Sequence, residues 1–459
     1  MTDHPAIIWG SRTIGREKLE QYICSVVRHL KGRGIAAQDR LVIIEQNSLE
    51  YVIVLLALWR MGAVACPLNP KWPLESLLEC CRILNPKVIL TSQKQFLASK
   101  KITIATAELK ELISYDARHP VEVSIKEIPL DQEATIIWTS GSSSQPKAVV
   151  HTWGNHFYSA AGAQEMIPLA ANDRWVLSLP LYHVSGISIV CRCFLAHAAI
   201  IIADDDNLAD VIRKKNPTHV SLVATQFYRL LENKDNHVFL KTLKYILLGG
   251  STIPLFLLEK SLFLGLSVYV SYGLTETSSQ VATGKVESLD KLYAKILPYR
   301  ELKIDTDGQI LVKGEVLFKG YLQQNKTTLP LTEDGWFKTR DLGKIEDGCL
   351  SVKGRLDNMF ICAGENIQPE EIENVIMRMQ QVRQVVVVPK EDAEYGFRPI
   401  AFVRMPGRFN EGLLMNHCTQ YLPKIKIPVA FYAWPEDLSQ GFKISRKFFQ
   451  ERIGKLSAS

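Results

Sequence analysis

The chain alternates short apolar runs with segments of helical periodicity, and this alternation restricts its fold more than any other feature. The run 39–46, DRLVIIEQ, has the length of a strand. The segment 48–62, SLEYVIVLLALWRMG, has the length of a helix that begins at Ser48 and ends at Gly62. The strand–helix order continues to residue 92 and recurs between residues 175 and 250. It predicts parallel sheets covered by helices, which is the α/β class.

The pattern changes from about Gly284, where alternating apolar residues separated by Asp-Gly turns indicate antiparallel strands. After Arg355 come a helical segment, EEIENVIMRM, and two strand-like runs, QVVVVP and RPIAFVRM. We therefore predict a domain boundary near Asp357. The N-terminal domain would cover residues 1–356, and a small α+β domain would cover residues 357–459.

Composition and charge exclude several classes of protein. Hydrophobic residues make up 47% of the 459 residues, which is too many for a disordered chain. The 54 Lys and Arg residues against 48 Asp and Glu leave a net charge of +6, too diffuse to indicate a nucleic-acid binder. The longest apolar run, Tyr51–Trp59, is about half of what a bilayer needs, and no signal-peptide pattern is present. We expect a cytoplasmic protein without a membrane span.

The nine cysteines include no C-x-x-C pair and none with histidine at zinc spacing. Most of them have apolar neighbours. We interpret them as buried, reduced thiols of a reducing compartment.

A hydroxyl-rich loop, TSGSSSQPKAV, follows the strand-like run ATIIW at residues 139–149. Backbone N–H groups, hydroxyls and an ammonium suit a polyphosphate. A Walker A loop is excluded, because Pro146 stands where its second glycine belongs and Ala148 where its Ser or Thr belongs. Read alone, the segment could also be a surface loop. Its candidate phosphate-binding residues are Thr139, Ser140, Gly141, Ser142, Ser143 and Lys147.

A second polar segment, SYGLTETSS at residues 271–279, follows a strand-like run. It offers an aromatic face at Tyr272, a hydroxyl at Thr275 and a carboxylate at Glu276. These groups suit a base, a phosphate and Mg²⁺, which prefers one or two carboxylates plus phosphate oxygens. A polar loop without a ligand is the alternative.

Two later segments carry further charged candidates. In TRDLGKIEDGCLSVKGRLD, Asp341 and Arg355 could bind ribose hydroxyls or form a surface ion pair with each other. Near the C-terminus, GFKISRK contains Lys443, Arg446 and Lys447, and a basic run of this kind is most often a solvated face.

The four segments occur in one order, and the set resembles the adenylate-forming superfamily of acyl-CoA synthetases, peptide-synthetase adenylation domains and luciferases. The resemblance covers the chain from about Trp9 to the C-terminus. Two departures lie in the phosphate loop, where Ser144 and Ala148 replace glycines. The segments LSLPLYHVSG, SLVATQFYRLL, LLGGSTIP and GRLDNMFICAGENIQPEEIE are similar to the acid–CoA ligases of menaquinone biosynthesis.

This resemblance implies a large N-terminal domain of two sheet-and-helix subdomains plus a β subdomain, and a small mobile C-terminal domain. It also implies an ATP-dependent ligase that forms an acyl-AMP and then an acyl-CoA. The expected partners are a small carboxylic acid, ATP and CoA, with Mg²⁺ as the cofactor. A homo-oligomer is left open.

The resemblance also implies roles for individual residues. The 139–147 loop would hold the departing phosphates, Thr275 would contact the α-phosphate and Glu276 would bind Mg²⁺. Lys443 would bridge the carboxylate and α-phosphate oxygens. The C-terminal domain would rotate about Asp357, and Gly364 would border the CoA tunnel. The other residues implied to bind ATP or AMP are Gly249, Gly250, Ser251, Tyr272, Gly273, Asp341 and Arg355.

Arg192 lies in the otherwise apolar segment ISIVCRCFLA, nine residues after His183. A buried guanidinium is rarely left unpaired, because burying its charge alone is costly. Its partner would be either a protein carboxylate or a second carboxylate of the substrate, which it could bind bidentately. We predict that Arg192 binds the non-reacting carboxylate of an aromatic dicarboxylic acid. His183 could shape the acyl pocket or be structural.

Three other functions remain possible from the sequence. The nearest is a ligase for another aryl or medium-chain acid. The second is an adenylation enzyme that loads a carrier protein. The third is a catalytically silent nucleotide-binding homologue, which would not need to retain Lys443, Glu276 and Asp341.

Overall fold

The computed structural model describes residues 4–93, 96, 104–113, 128–139, 146–203, 207–289, 292–324, 326–363, 365–407, 409–435 and 446–456. Within them the strands form two large sheets and one small sheet. The strands are β1 Pro5–Trp9, β2 Arg12–Gly15, β3 Arg40–Ile44, β4 Val64–Pro67, β5 Val88–Thr91, β6 Ala105–Ala107, β7 Glu133–Thr139, β8 Lys147–Thr152, β9 Arg174–Leu177, β10 Ala199–Ile202, β11 His219–Leu222, β12 Tyr245–Leu248, β13 Val268–Leu274, β14 Ser279–Lys285, β15 Ala294–Ile296, β16 Glu301–Ile304, β17 Gln309–Lys313, β18 Gly320–Gln323, β19 Lys326–Thr328, β20 Phe337–Glu346, β21 Cys349–Arg355, β22 Phe360–Cys362, β23 Glu365–Ile367, β24 Gln384–Asp392, β25 Gly396–Arg404 and β26 Phe431–Ala433.

Helices cover the sheets, and none within the described residues is long and apolar enough to cross a membrane. The α-helices are α1 Arg16–Gly32, α2 Leu49–Met61, α3 Leu74–Leu84, α4 Leu109–Leu112, α5 Trp153–Ala163, α6 Val184–Ala196, α7 Leu208–Lys215, α8 Ala224–Glu232, α9 Asn236–Leu240, α10 Leu255–Phe263, α11 Pro369–Ile376, α12 Glu411–Tyr421 and α13 Arg446–Leu456.

The predicted helix over 48–62 is confirmed as α2. The Ser48 Oγ accepts a hydrogen bond from the Tyr51 backbone N–H, and Gly62 closes the helix at φ +81°, a conformation that glycine adopts without strain. Nearly every residue of α2 is buried, because the helix lies in a core shared by both large sheets. This explains why its sequence is apolar on all faces rather than amphipathic.

The first large sheet has the order β19-β18-β8-β7-β4-β3-β5-β6. Strands β3 to β7 run parallel, and β8, β18 and β19 extend the sheet in antiparallel fashion. The residues of β4 and β5 are all buried, as expected for parallel strands covered on both faces. The carboxyl end of β7 is Thr139, where the hydroxyl-rich loop begins.

The second large sheet has thirteen strands in the order β16-β17-β20-β21-β15-β14-β13-β12-β11-β9-β10-β1-β2. The neighbours from β13 to β1 are parallel, whereas β14 reverses direction beside β13. The antiparallel region thus begins at Ser279, slightly before the predicted Gly284. It is hydrogen-bonded to the parallel strands as one continuous sheet.

The carboxyl edges of the two sheets face each other. Asn47, which follows β3, donates through Nδ2 to the Leu179 carbonyl at 2.9 Å, and its Oδ1 accepts from the Leu181 N–H at 2.9 Å. These two residues follow β9 in the other sheet. Loops at the carboxyl ends of parallel strands are the usual place for a ligand site in α/β folds.

Strands β22 to β26 form the small third sheet, whose core includes residues of α11 and α12. The predicted α/β class, with a large N-terminal domain and a small α+β C-terminal domain, is confirmed. The nine cysteines are all free thiols, and seven of them are buried.

Candidate active site

Tyr272 and the TRD segment meet at the carboxyl end of β13. The Tyr272 hydroxyl donates to Asp341 Oδ2 at 2.7 Å, and burial raises the pKa of that hydroxyl, which therefore stays protonated. Asp341 and Arg355 lie opposite each other in the β20–β21 ladder, and Arg355 Nη1 is 2.7 Å from Asp341 Oδ1. Asp341 is 4% exposed, so this ion pair is half-buried rather than a surface contact. Two segments 69 residues apart in sequence thus form one hydrogen-bonded group.

Tyr321 brings the other charged candidates together. Its hydroxyl donates to Glu276 Oε1 at 2.8 Å, and Lys147 Nζ lies over its ring, 4.8 Å from the centroid. The β8–β18 pairing produces this arrangement, because Leu322 lies opposite Ala148. The sequence analysis missed Tyr321, whose only signal was a tyrosine in the strand-like run EVLFKGYL.

The ends of the hydroxyl-rich loop lie together, since Thr139 of β7 pairs with Lys147 of β8. The intervening Ser140, Gly141, Ser142 and Ser143 lie outside the described residues. Among the described residues of this motif, Lys147 lies over the ring of Tyr321, whose hydroxyl binds Glu276.

The glycine-containing loop after β12 lies directly beside β13. A Cβ on Gly249 would lie 2.6 Å from Ser271 Oγ, so a side chain there would force the Ser271 hydroxyl to move. Gly250 and Ser251 follow and are exposed. Gly273 is similarly constrained, because an added Cβ would lie 1.6 Å from the Ser279 carbonyl oxygen. The glycines at positions 249 and 273 therefore leave the backbone next to Tyr272 without side chains.

Arg192 projects from α6 into the protein interior and is 3% exposed. Its Nη2 donates to Gln280 Oε1 at 2.5 Å, and its guanidinium carbon lies 5.3 Å from the Trp175 ring centroid. No acidic side chain of the described residues pairs with it, so the alternative of an internal ion pair finds no support there. Burial lowers the pKa of Arg192 to about 10, which leaves the group charged at neutral pH.

A second buried arginine, Arg300, contacts the backbone of the same glutamine. Its Nε and Nη2 donate to the Gln280 carbonyl oxygen at 3.0 and 2.6 Å, and burial lowers its pKa to about 9. The Gln280 amide is oriented by Thr283, whose Oγ1 accepts from Nε2 at 2.7 Å. The sequence analysis missed Arg300, because the alternating pattern around it is that of an ordinary strand.

His183 immediately precedes α6, and its ring meets the Tyr182 ring edge-on at 4.8 Å between centroids. It therefore lies at the carboxyl edge of the second sheet, whereas Arg192 lies two turns further along the helix. Ser188, one turn before Arg192, has its hydroxyl 3.4 Å from Ser279 Oγ. This helix thus packs against the segment that carries Thr275 and Glu276.

Asp357 lies in a short 3-10 turn directly after Arg355 and accepts hydrogen bonds from both Arg340 and Arg355. Gly364 and Lys443 lie outside the described residues. Arg446 is not the solvated residue expected of a basic tail, because it pairs with Glu370 at 2.9 Å and with Glu373 Oε2 at 2.8 Å in a mostly buried network. Lys447 is exposed, as expected.

Comparisons with known proteins agree with this geometry. Residues 1–322 match the AMP-binding enzyme family, and residues 371–440 match the AMP-binding enzyme C-terminal domain. The chain is 33% identical to the 2-succinylbenzoate–CoA ligase of Salmonella typhimurium, covering 98% of this chain and 95% of that one. It is 35% identical to the enzyme of the same name from Haemophilus influenzae, covering 95% and 92%.

Solved structures give the same result. The o-succinylbenzoate CoA synthetase of Bacillus subtilis with the acyl-adenylate OSB-AMP superposes with a TM-score of 0.85 at 29% identity, covering 98% of this chain and 95% of that one. The same enzyme with ATP and magnesium ion also gives 0.85 at 29% identity, covering 98% and 97%.

Proposed function

The chain belongs to the AMP-binding enzyme family, and on that premise we propose that it is an AMP-forming acid–CoA ligase that converts 2-succinylbenzoate to 2-succinylbenzoyl-CoA in menaquinone biosynthesis. In the first half-reaction a substrate carboxylate attacks the α-phosphate of ATP, which gives acyl-AMP and releases pyrophosphate. In the second, the CoA thiol attacks the acyl carbon and AMP leaves. The protein mainly positions these groups and offsets their charge.

The observation that carries this proposal is the convergence of three motifs at one edge. Lys147, Glu276 and Asp341 come from segments far apart in sequence. Tyr321 contacts both Glu276 and Lys147, and Tyr272, four residues before Glu276, donates to Asp341. The lysine suits the departing phosphates, and the hydroxyl of Thr275 suits the α-phosphate. The Asp341–Arg355 pair offers an acceptor and donors to ribose hydroxyls. The Tyr272 ring and the backbone around Gly249 would line the adenine.

Glu276 fits a magnesium ion that is bound mainly by phosphates. Tyr321 occupies Oε1 of its carboxylate, and Oε2 has no hydrogen-bond partner within the described residues. One carboxylate plus phosphate oxygens is the donor set that Mg²⁺ prefers. When bound, Mg²⁺ would offset charge on the phosphates, and Glu276 would hold it on the side of the turn that faces Lys147.

Arg192 and Arg300 support a substrate with two carboxylates. Both guanidiniums are buried, and they meet at a neutral glutamine without an acidic neighbour in the described residues. A second carboxylate on the acid would supply the missing negative charge and could be bound bidentately by Arg192. A fatty acid would supply no such charge. His183 would shape the entrance to this acyl site.

The C-terminal residues have roles that rest on the family resemblance. Lys443 would offset charge between the carboxylate and the α-phosphate during adenylation. Rotation about Asp357, the boundary between residues 1–356 and 357–459, would then bring the loop at Gly364 to the CoA tunnel. Nine free thiols suit a reducing compartment, so we place the enzyme in the cytoplasm.

The test uses the full-length protein with ATP, Mg²⁺ and a panel of acids: 2-succinylbenzoate, benzoate and octanoate. Pyrophosphate exchange should depend on 2-succinylbenzoate without CoA, and AMP release should then require CoA. Preference for benzoate or octanoate would assign the enzyme to another acid. Exchange without CoA-dependent release would indicate a carrier-loading enzyme, and no exchange with any acid would indicate a silent homologue.

A further inference from the structure

A buried pair of histidines lies directly beneath the turn that carries Thr275. His151, on β8, has its Nε2 2.7 Å from the Thr275 carbonyl oxygen. Because a carbonyl can only accept, Nε2 must carry the proton. The other ring nitrogen, Nδ1, is then an acceptor and lies 3.3 Å from Thr135 Oγ1.

The hydrogen bonds continue from His151 through Thr135 to a second histidine, His156, and the direction of donation along them is fixed. His156 Nε2 lies 2.8 Å from the same Thr135 hydroxyl, whose single proton goes to His151. His156 therefore donates to Thr135, and its Nδ1, which has no partner in the described residues, is a bare acceptor. The opposite direction would bury an N–H without an acceptor, which is the costlier arrangement.

Burial keeps this arrangement fixed. His151 is 0% exposed and His156 is 1% exposed. Desolvation lowers the pKa of His151 to about 4 and lowers the pKa of His156 as well. Both rings are therefore neutral at pH 7, and each has one donor and one acceptor nitrogen.

The turn that His151 contacts is strained. After the 3-10 turn Thr275–Thr277, Ser278 and Ser279 have φ angles of +53° and +106°, a region that non-glycine residues rarely adopt. Such a conformation persists only where the surroundings determine it. Ser159 Oγ donates to the Ser278 carbonyl at 2.6 Å, and the Phe318 N–H donates to that of Glu276 at 2.8 Å.

Of these contacts, the one from His151 connects the turn to β8, the strand that follows the proposed phosphate loop. β8 begins at Lys147 and contains His151 four residues later, where His151 pairs with Thr135 of β7. The carbonyl of Thr275 therefore has a fixed distance from the strand that begins at Lys147. Loss of the Nε2 donor would leave that carbonyl with the Ser278 N–H, at 3.1 Å, within its own turn.

We propose that His151 is a positioning residue for acyl-AMP formation, which acts by holding the Thr275 carbonyl so that Thr275 and Glu276 face Lys147. The inference rests on the function proposed above. His151 acts through Thr275 and touches no reacting atom. Its loss should therefore lower kcat for adenylation more than it alters the KM for the acid.

The chain provides a matched control in His219. This histidine is 0% exposed, its Nε2 lies 3.0 Å from the Pro168 carbonyl oxygen and its Nδ1 lies 2.7 Å from Thr218 Oγ1. Its pKa is also lowered to about 4 by burial. His219 thus has the burial and bonding of His151, but it holds a carbonyl remote from the Thr275 turn.

The experiment compares His151→Leu, His151→Gln and His219→Leu in pyrophosphate exchange at saturating acid and ATP, with kcat normalised to the folded fraction. His151→Leu should lose about tenfold or more, whereas His219→Leu should stay within about twofold. His151→Gln, whose Nε2 can donate in place of the ring, should restore most of the loss. Equal losses in the two leucine variants, or no rescue by glutamine, would overturn the proposal.

A further variant keeps the test decisive if His151→Leu does not fold. Thr135→Val retains the shape of the side chain but removes the proton that fixes the His151 tautomer, and kcat should fall about threefold. An unchanged kcat would contradict the proposed direction of the hydrogen bonds from His156 through Thr135 to His151. Absence of exchange by the wild-type protein with every acid would instead contradict the proposed function, so the two failures are distinguishable.

Discussion

The two sides of the candidate site differ in how their charges are paired. On the nucleotide side, Asp341 pairs with Arg355, and Arg355 and Arg340 share Asp357. On the acyl side, Arg192 and Arg300 contact one neutral glutamine and no acidic side chain of the described residues. The nucleotide side is therefore ordered by the protein's own charges. The proposed acyl side retains positive charge that a substrate carboxylate could neutralise, so under the proposed function it would be the side that selects the acid.

The largest expected effect concerns Lys443, which the family resemblance implies is the cation that offsets charge between the carboxylate and the α-phosphate. Lys443→Ala should lower acyl-AMP formation on the order of 10²-fold or more, while thioester formation from supplied acyl-AMP is spared. The matched control is Lys447→Ala, an exposed lysine of the same motif. Equal loss in both half-reactions would remove Lys443 from this role.

Breaking the Asp341–Arg355 ion pair should impair catalysis with ATP without impairing binding of the acid. Asp341→Asn removes the anion that Tyr272 and Arg355 share, so kcat/KM for ATP should fall about 10- to 100-fold. The KM for the acid should be unchanged. Asp334→Asn, which removes an exposed pair with Lys303, serves as the control and should have little effect. Parallel changes for ATP and acid would show that the two sides are not independent.

Asp357, the proposed hinge, binds the arginines of the paired side, so its test must separate the effect of the backbone from the effect of the charge. Asp357→Pro fixes φ and should lower thioester formation about tenfold while adenylation survives. Asp357→Asn retains the backbone freedom and removes only the charge that Arg340 and Arg355 share. Stopped-flow measurement of each half-reaction would distinguish them. Similar thioester rates in the two variants would locate the rotation elsewhere.

The smallest effect concerns stability, and it comes from a buried histidine that belongs to neither side of the site. The folded-state pKa of His219 is lowered from 6.5 to about 4, mainly by burial. Between these values the unfolded chain binds more protons than the folded chain. The free energy of unfolding should therefore decrease as pH falls from 6.5 to 4, by at most about 1.4 kcal/mol per pH unit from this group. In urea titrations, His219→Gln should flatten this slope; an unchanged slope would exclude the contribution.

Local features of the fold were predictable from the sequence because they depend on neighbouring residues. Ser48 and Gly62 mark the ends of α2 through capping chemistry, and the apolar runs of β3 and β11 identify buried strands. The ordered motifs also located Tyr272, Asp341 and the other candidates. Each of these signals lies within a short window of sequence.

The residues that the sequence analysis missed depend on register between distant strands. Tyr321 reaches Glu276 across 45 residues, Arg300 reaches Gln280 across 20, and His151 reaches Thr275 across 124. No periodicity determines which side chains such pairings bring together. Arg446 was misread for the same reason, because its partners Glu370 and Glu373 lie more than 70 residues earlier.

The most direct test of the difference between the two sides measures how the enzyme discriminates two acids. They are 2-succinylbenzoate and 4-oxo-4-phenylbutanoate, which is the same acid without the carboxylate on the ring. The wild-type protein should prefer the dicarboxylate in kcat/KM by at least about tenfold, and Arg192→Ala should bring the ratio close to one while sparing the KM for ATP. If Arg192→Ala lowers activity on both acids in equal proportion, the arginine is structural and the account of the acyl side is wrong.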